Sequence, residues 1–134
     1  SNLMRHKKQF ATIDTQDALI GNRAYDLASL IDDVRFKSNK KLKERIYNYY
    51  LKLNNKKINK AILLNDFEIL SVLRNMKIIG IFVRLAVRDK KKTYLKLIPY
   101  AWKLIEFRMQ NSEIFGGLKR LLDINFPKKI RTLK

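Results

Sequence analysis

The chain has 134 residues, of which 46% are hydrophobic and 10% aromatic, so its length and composition suit one folded domain and exclude a disordered chain. It has no cysteine, which excludes thiol catalysis and disulfides and fits a reducing compartment. The longest purely apolar run, residues 78–83, is far shorter than the about 20 residues of a membrane-spanning helix, and no secretory signal is visible. We therefore expect a cytoplasmic protein without a membrane segment.

The formal net charge of +18 arises from 30 basic and 12 acidic residues and favours contact with polyanions such as nucleic acids. However, Lys outnumbers Arg, and the basic residues are spread over clusters at residues 37–43, 52–60, 88–92 and 128–134, which are typical of turns or tails. No zinc-ligand spacing, arginine-rich helix or aromatic RNA-binding motif accompanies them. Nucleic-acid binding is therefore an alternative that the sequence does not favour.

The most informative segment lies near the N-terminus. Residues 10–13 predict a short buried strand that ends on the carboxylate of Asp14. A polar turn with a second carboxylate, Asp17, follows, and a helix then begins near Asp26. A carboxylate at the end of a strand, beside a turn and a helix start, is a common way to hold a divalent cation against a phosphate.

The rest of the chain predicts helices, which makes the fold class mainly α. In chain order, the apolar spacing predicts helices at residues 26–36, 40–53, 65 or 66 to 88, 93–110 and 112–124, and a basic tail at 125–134. Asp26 is a candidate N-cap, and Asn65 with Glu68 forms a capping-box pattern. Pro99 is expected to open or kink its helix, and Trp102 is expected in the core.

Arg74 and Asn75 stand out because they interrupt a helix that is otherwise apolar nearly all round. Two interpretations are open. They are either the wet edge of a buried helix, or they face a cleft and contact a substrate.

The order of residues in the N-terminal segment resembles the metal-binding segment of the aminoglycoside phosphotransferase and choline kinase family, which has a protein-kinase-like fold. The resemblance is carried by Ile-Asp-Thr-Gln-Asp-Ala at residues 13–18, Gly21, and Ala-Tyr-Asp-Leu-Ala-Ser-Leu at residues 24–30. The most similar branch comprises bacterial kinases of cell-wall amino sugars, such as N-acetylmuramate and N-acetylglucosamine. Thr15 replaces the Phe usual in that branch, and Leu73 replaces a Gln before Arg74.

The resemblance implies a metal site and a missing catalytic residue. Asp14 and Asn2, which flank a hairpin-like excursion, would hold Mg²⁺ against ATP. The catalytic Asp would precede Asn2 and therefore lies upstream of Ser1, as does the lobe that grips ATP. A rival interpretation takes Ser1 and Asn2 as the remnant of a removed tag.

The resemblance also assigns substrate contacts and an overall architecture. Asp17, Arg74 and Asn75 would contact the substrate, a sugar or amino sugar, and Gln16 and Asp26 would support the site. The whole chain, residues 1–134, would form one domain, the helical C-terminal lobe of a phosphotransferase, with a short N-terminal β-hairpin.

Three hypotheses about function follow. The chain is a piece of a kinase, or the product of a split or decaying gene that docks onto a separate first lobe, in cis or in trans. Alternatively, it is a non-catalytic basic helical module that binds nucleic acid. In each case we expect no catalysis by these 134 residues alone.

Overall fold

The computed structural model describes residues 3–12, 20–54, 58–110 and 113–132. It begins with an antiparallel hairpin of strands β1, Leu3–His6, and β2, Gln9–Thr12. The register pairs Leu3 with Thr12 and His6 with Gln9. Lys7 turns the chain with a φ of 53°, in the left-handed region that tight hairpin turns use.

The hairpin confirms the predicted β-hairpin but corrects the prediction of a buried strand. Phe10 is 79% exposed, and Met4 on the other strand is also exposed. A two-stranded sheet buries apolar side chains only where another layer covers one of its faces. Within the described parts of the chain, no such layer covers these two residues.

Six α-helices and two 3₁₀ helices make up most of the described remainder, so the chain is mainly helical as predicted. Helix α1 spans Ala24–Ile31, α2 Lys40–Leu53 and α3 Lys60–Arg88. A 3₁₀ helix at Lys92–Leu97 leads into α4, Ile98–Met109, and a second at Glu113–Phe115 leads into α5, Gly116–Asn125. Helix α6, Lys128–Arg131, is a single turn.

Local residues explain where helices α3 and α4 begin. Pro99 lies in the first turn of α4, as expected, where its missing N–H costs nothing. Helix α3 begins earlier than predicted because Asn59, not Asn65, caps it. The Asn59 Oδ1 accepts hydrogen bonds from the N–H groups of Ala61 and Ile62 at 3.0 and 3.2 Å.

Helix α3 is the central element, and it packs against α1 on one side and α4 on the other. Two apolar clusters result. The smaller one joins α1 to the start of α3 through Leu27, Ile31 and Phe67. The larger one joins α3, α4 and α5 and includes Trp102, which is buried as predicted.

The segment from residue 125 was predicted as a basic tail, but part of it is folded onto the domain. Arg131 is buried, and its guanidinium donates to Glu106 at 2.8 Å and to Asp123 at 2.7 Å. It also lies over the Trp102 ring, 5.0 Å from the centroid. Helix α6 is thereby fixed against α4 and α5. Among the described helices, none is both long and apolar enough to cross a membrane.

Candidate functional site

Four of the predicted site residues lie outside the described residues. These are the predicted metal ligands Asn2 and Asp14, together with Gln16 and Asp17. In the sequence, they lie directly before β1 or shortly after β2, and Leu3 pairs with Thr12 at the open end of the hairpin. The roles of these four residues remain predictions.

Asp26, predicted as an N-cap and as a support of the site, lies in the first turn of α1 and is exposed. The N-cap prediction is wrong, because Asn22 supplies the acceptor. The Asn22 Oδ1 accepts a hydrogen bond from the Ala24 N–H at 2.9 Å. A carboxylate in the first turn still favours the helix through its interaction with the helix dipole.

Asn22 also joins the start of α1 to α3. Its Nδ2 donates to Asp66 Oδ2 at 2.7 Å. An open groove of about 350 Å³ lies beside this contact, between the residues before α1 and the first turns of α3. Its lining is mixed polar and apolar and includes Gly21, Arg23, Ile58 and Ile62.

Arg74 projects from the middle of α3 and is half-buried. Its Nη1 atom is buried and has no hydrogen-bond partner among the described residues. Burial lowers the pKa of its guanidinium, and the negative charge of Asp33 acts in the opposite direction. A guanidinium remains protonated in proteins despite such a shift, so Arg74 is a partly desolvated cation.

The carboxylate whose charge acts most strongly on Arg74 is that of Asp33, and it already accepts hydrogen bonds from Arg35. Asp33 accepts hydrogen bonds from Arg35 Nε at 3.0 Å and Nη2 at 2.7 Å, and from the Arg35 backbone N–H at 2.8 Å. These bonds hold the pKa of Asp33 below its usual value. Asp33 therefore interacts with Arg74 through its charge while its oxygens are paired with Arg35.

Asn75, the next residue, is fully buried. Its Nδ2 donates to the Ser71 carbonyl oxygen at 2.9 Å, one turn earlier on α3. Its Oδ1 is buried and accepts no hydrogen bond within the described ranges. Arg74 Nη1 is thus a buried donor, and Asn75 Oδ1 a buried acceptor, without a hydrogen-bond partner among the described residues. Buried polar groups in folded proteins are normally hydrogen-bonded, so these two call for an explanation.

A buried ionic cluster that the sequence prediction missed lies beside these residues, centred on Asp32. The Asp32 carboxylate accepts hydrogen bonds from Lys43 Nζ at 2.7 Å, Ser71 Oγ at 2.6 Å, and Arg108 Nε and Nη2 at 2.8 and 3.2 Å. Burial alone would raise the pKa of Asp32, but the bonds and charge of Arg108, with those of Lys43 and Ser71, lower it overall. The carboxylate is therefore ionised and fully paired.

Asp32 lies within the helix that the sequence predicts at residues 26–36. The structure corrects this prediction, because α1 ends at Ile31 and the Asp32 side chain turns into the interior. The only available signal was an acidic pair, Asp32 and Asp33, at the end of an amphipathic helix. That pattern is equally typical of a solvated turn.

Arg108 extends this cluster toward a cavity of about 260 Å³ between α2, α3 and α4. Its guanidinium lies over the rings of Phe67 and Phe107, 4.6 and 4.9 Å from their centroids. Tyr47 also lines the cavity, and burial raises the pKa of its hydroxyl. Because Asp32 pairs with two of the cationic side chains that line this cavity, Lys43 and Arg108, the arrangement is that of a structural cluster.

The described residues contain no group of three or more His, Cys, Asp or Glu side chains that could hold a metal ion. The predicted metal ligands lie in the N-terminal segment, as stated above. A carboxylate and an amide oxygen are a donor set that Mg²⁺ accepts, so the predicted pair fits this ion chemically.

Comparison with known proteins gives three curated relatives of one kind. No family model matches the chain. It is 30% identical over 119 residues to an N-acetylmuramate/N-acetylglucosamine kinase of Caulobacter vibrioides, covering 89% of this chain and 32% of the relative. The kinases of that name from Pseudomonas aeruginosa and Neisseria meningitidis are each 32% identical, over 127 and 103 residues.

The matches to the second and third relatives cover 90% and 73% of this chain, but only 37% and 31% of those proteins. The chain therefore spans about a third of the length of the curated relatives it matches. The likeness covers most of the chain, and the names of these relatives agree with the amino-sugar kinase branch of the resemblance found in the sequence.

Proposed function

We propose that the chain is the helical C-terminal lobe of an ATP-dependent phosphotransferase of the aminoglycoside phosphotransferase and choline kinase family, acting on an amino sugar. The observation that carries the proposal is the match of most of the chain to three kinases of the same name. The mainly helical fold with a short N-terminal hairpin supports it.

In this proposal, residues 1–134 form one domain that contributes the metal- and substrate-binding side of the active site. Asp14 and Asn2 would hold Mg²⁺, which neutralises charge on the phosphates of ATP during transfer. Asp17 and Arg74 would contact the sugar, and Gln16 and Asp26 would support the loop. Asn75, which the sequence predicted as a third contact, is fully buried in the structure. The catalytic Asp and the ATP-gripping residues would come from a first lobe, in cis or in trans.

The proposal is tested by supplying that first lobe. The matched third of the Caulobacter relative is replaced by this chain, and phosphorylation of N-acetylglucosamine is measured with ATP and Mg²⁺. We expect turnover by the chimera, and none by the 134 residues alone, because phosphoryl transfer needs both sets of groups positioned together.

The Asp14→Asn variant of the chimera should lose activity by roughly 100-fold or more, since a neutral amide replaces the charged metal ligand. Asp89→Asn is the matched control, because Asp89 lies in an exposed turn and pairs only with Arg88 among the described residues. A folded chimera without activity, or one whose Asp14→Asn variant remains as active as the control, would contradict the proposal. So would sugar phosphorylation by the isolated chain.

A further inference from the structure

We infer that Arg74 is a carboxylate-binding residue that recognises the lactyl group of N-acetylmuramate and so distinguishes this sugar from N-acetylglucosamine. The inference rests on the proposed function and deepens it. The two sugars differ at the O3 position, where N-acetylmuramate carries a lactyl ether that ends in a carboxylate. A cation at that position would favour N-acetylmuramate over N-acetylglucosamine.

Arg74 differs from the other buried or half-buried arginines in having no ion pair among the described residues. Among the described residues, Arg74, Arg108 and Arg131 are the arginines that are buried or half-buried. Arg108 pairs with the Asp32 carboxylate, and Arg131 pairs with Glu106 and Asp123. Arg74 forms no ion pair within the described ranges, and its Nη1 is unsatisfied there.

The local charge favours a single anion at Arg74. Asp33, the nearby carboxylate, accepts two side-chain hydrogen bonds from Arg35, so its oxygens are paired with Arg35 and not with Arg74. A planar guanidinium binds a carboxylate through parallel N–H···O bonds, which a neutral hydroxyl cannot replace. One carboxylate would supply both the missing acceptor and the missing charge.

The position of Arg74 also suits a sugar ligand. Tyr25, in the first turn of α1, lies near Arg74, and it follows shortly after the segment that carries Asp14 and Asp17 in the sequence. Leu73, next to Arg74, is 53% exposed and offers an apolar surface for the methyl group of a lactyl substituent. Arg74 is thus a substrate-contacting residue within the proposed site.

Calorimetric titration of the full chain tests the inference with N-acetylmuramate, its neutral methyl ester, N-acetylglucosamine and D-lactate. We expect N-acetylmuramate to bind roughly 10-fold or more tightly than either neutral sugar, because a charge-assisted bidentate contact is lost in both. D-lactate alone should bind weakly, because it lacks the sugar. Equal binding of the charged and neutral sugars, no binding of any sugar, or lactate binding as tight as that of N-acetylmuramate would overturn the inference.

Variants identify the residue responsible. Arg74→Gln should abolish the preference, and Arg74→Lys should retain part of it, because Lys keeps the charge and loses the planar fork. Arg84→Gln, which removes an exposed arginine from the same helix, is the control and should leave the preference unchanged. Circular dichroism establishes that each variant is folded, and a preference that survives in folded Arg74→Gln refutes the assignment.

Failure of this inference is distinguishable from failure of the proposed function. A chimera that phosphorylates both sugars equally well, with and without Arg74, would remove the carboxylate assignment and leave the kinase proposal intact. A chimera inactive toward every sugar would contradict the proposed function itself.

Discussion

Replacing Asp32 by Asn should strongly destabilise the domain, because it removes the central carboxylate from a buried ionic cluster. The Asp32 side chain is 0% exposed, and its two cationic partners, Lys43 and Arg108, are 8% and 13% exposed. An amide in place of the carboxylate leaves both sheltered cations without the ion pair that they share. Breaking a buried pair in this way costs about 3–5 kcal/mol.

That magnitude is large compared with the whole stability of a domain, which is about 5–15 kcal/mol. Urea unfolding, followed by the fluorescence of the single buried tryptophan, Trp102, measures it directly. With a denaturant slope of about 1–3 kcal/mol per molar, the midpoint should fall by at least about 1 M.

Asp33→Asn is a matched control, because it removes a neighbouring carboxylate with the same chemistry in a more exposed place. Arg35, the partner of Asp33, is 64% exposed, so this pair should contribute no more than about 1 kcal/mol. The double variant Asp32→Asn with Lys43→Met should be more stable than Asp32→Asn alone, since one uncompensated cation is removed with its charge. An Asp32→Asn variant no less stable than Asp33→Asn would refute the reasoning.

Two further predictions concern pH and helix capping. The pKa of Asp32 is lowered in the folded state from the ordinary value of 3.8, so its stabilisation is present above that value and is lost as the pH falls through the folded pKa. Urea midpoints measured from neutral pH into strong acid should therefore lose the contribution of Asp32 as the pH falls below 3.8, and Asp32→Asn should flatten that part of the profile. Asn59→Ala should cost about 1 kcal/mol, because Asn59 caps α3 through two backbone N–H groups, whereas Asn65→Ala should cost less. Equal losses in the two capping variants would contradict this assignment of the cap.

The elements that could be predicted from sequence are those whose signals are local. Helix α2 begins and ends where its apolar spacing predicted, and the Asn39 side chain caps it by accepting from the Leu42 N–H. The start of α3 was misplaced because two Asn residues compete as caps. Burial of Leu63 and Phe67 against α1, which a local pattern does not reveal, favours the earlier start at Asn59.

The buried cluster could not be predicted because its partners are distant along the chain. Lys43, Ser71 and Arg108 lie 11, 39 and 76 positions from Asp32. Each of these side chains alone has the character of an ordinary surface residue, and only the packing of four helices brings them together. The same applies to Arg131, which the sequence placed in a basic tail and the fold buries between Glu106 and Asp123.

The cluster and the proposed carboxylate site are physically connected through α3. Ser71 donates to Asp32, and Asn75 donates back to the Ser71 carbonyl, so two successive turns of α3 are fixed relative to the end of α1. Arg74 lies between these two residues in the sequence, on the part of α3 that these contacts hold. A rigid support of this kind is what a charged recognition residue requires, because a misplaced guanidinium would lose the bidentate geometry on which discrimination depends. The energy stored in the ionic cluster thus serves the orientation of α3 as well as the stability of the domain.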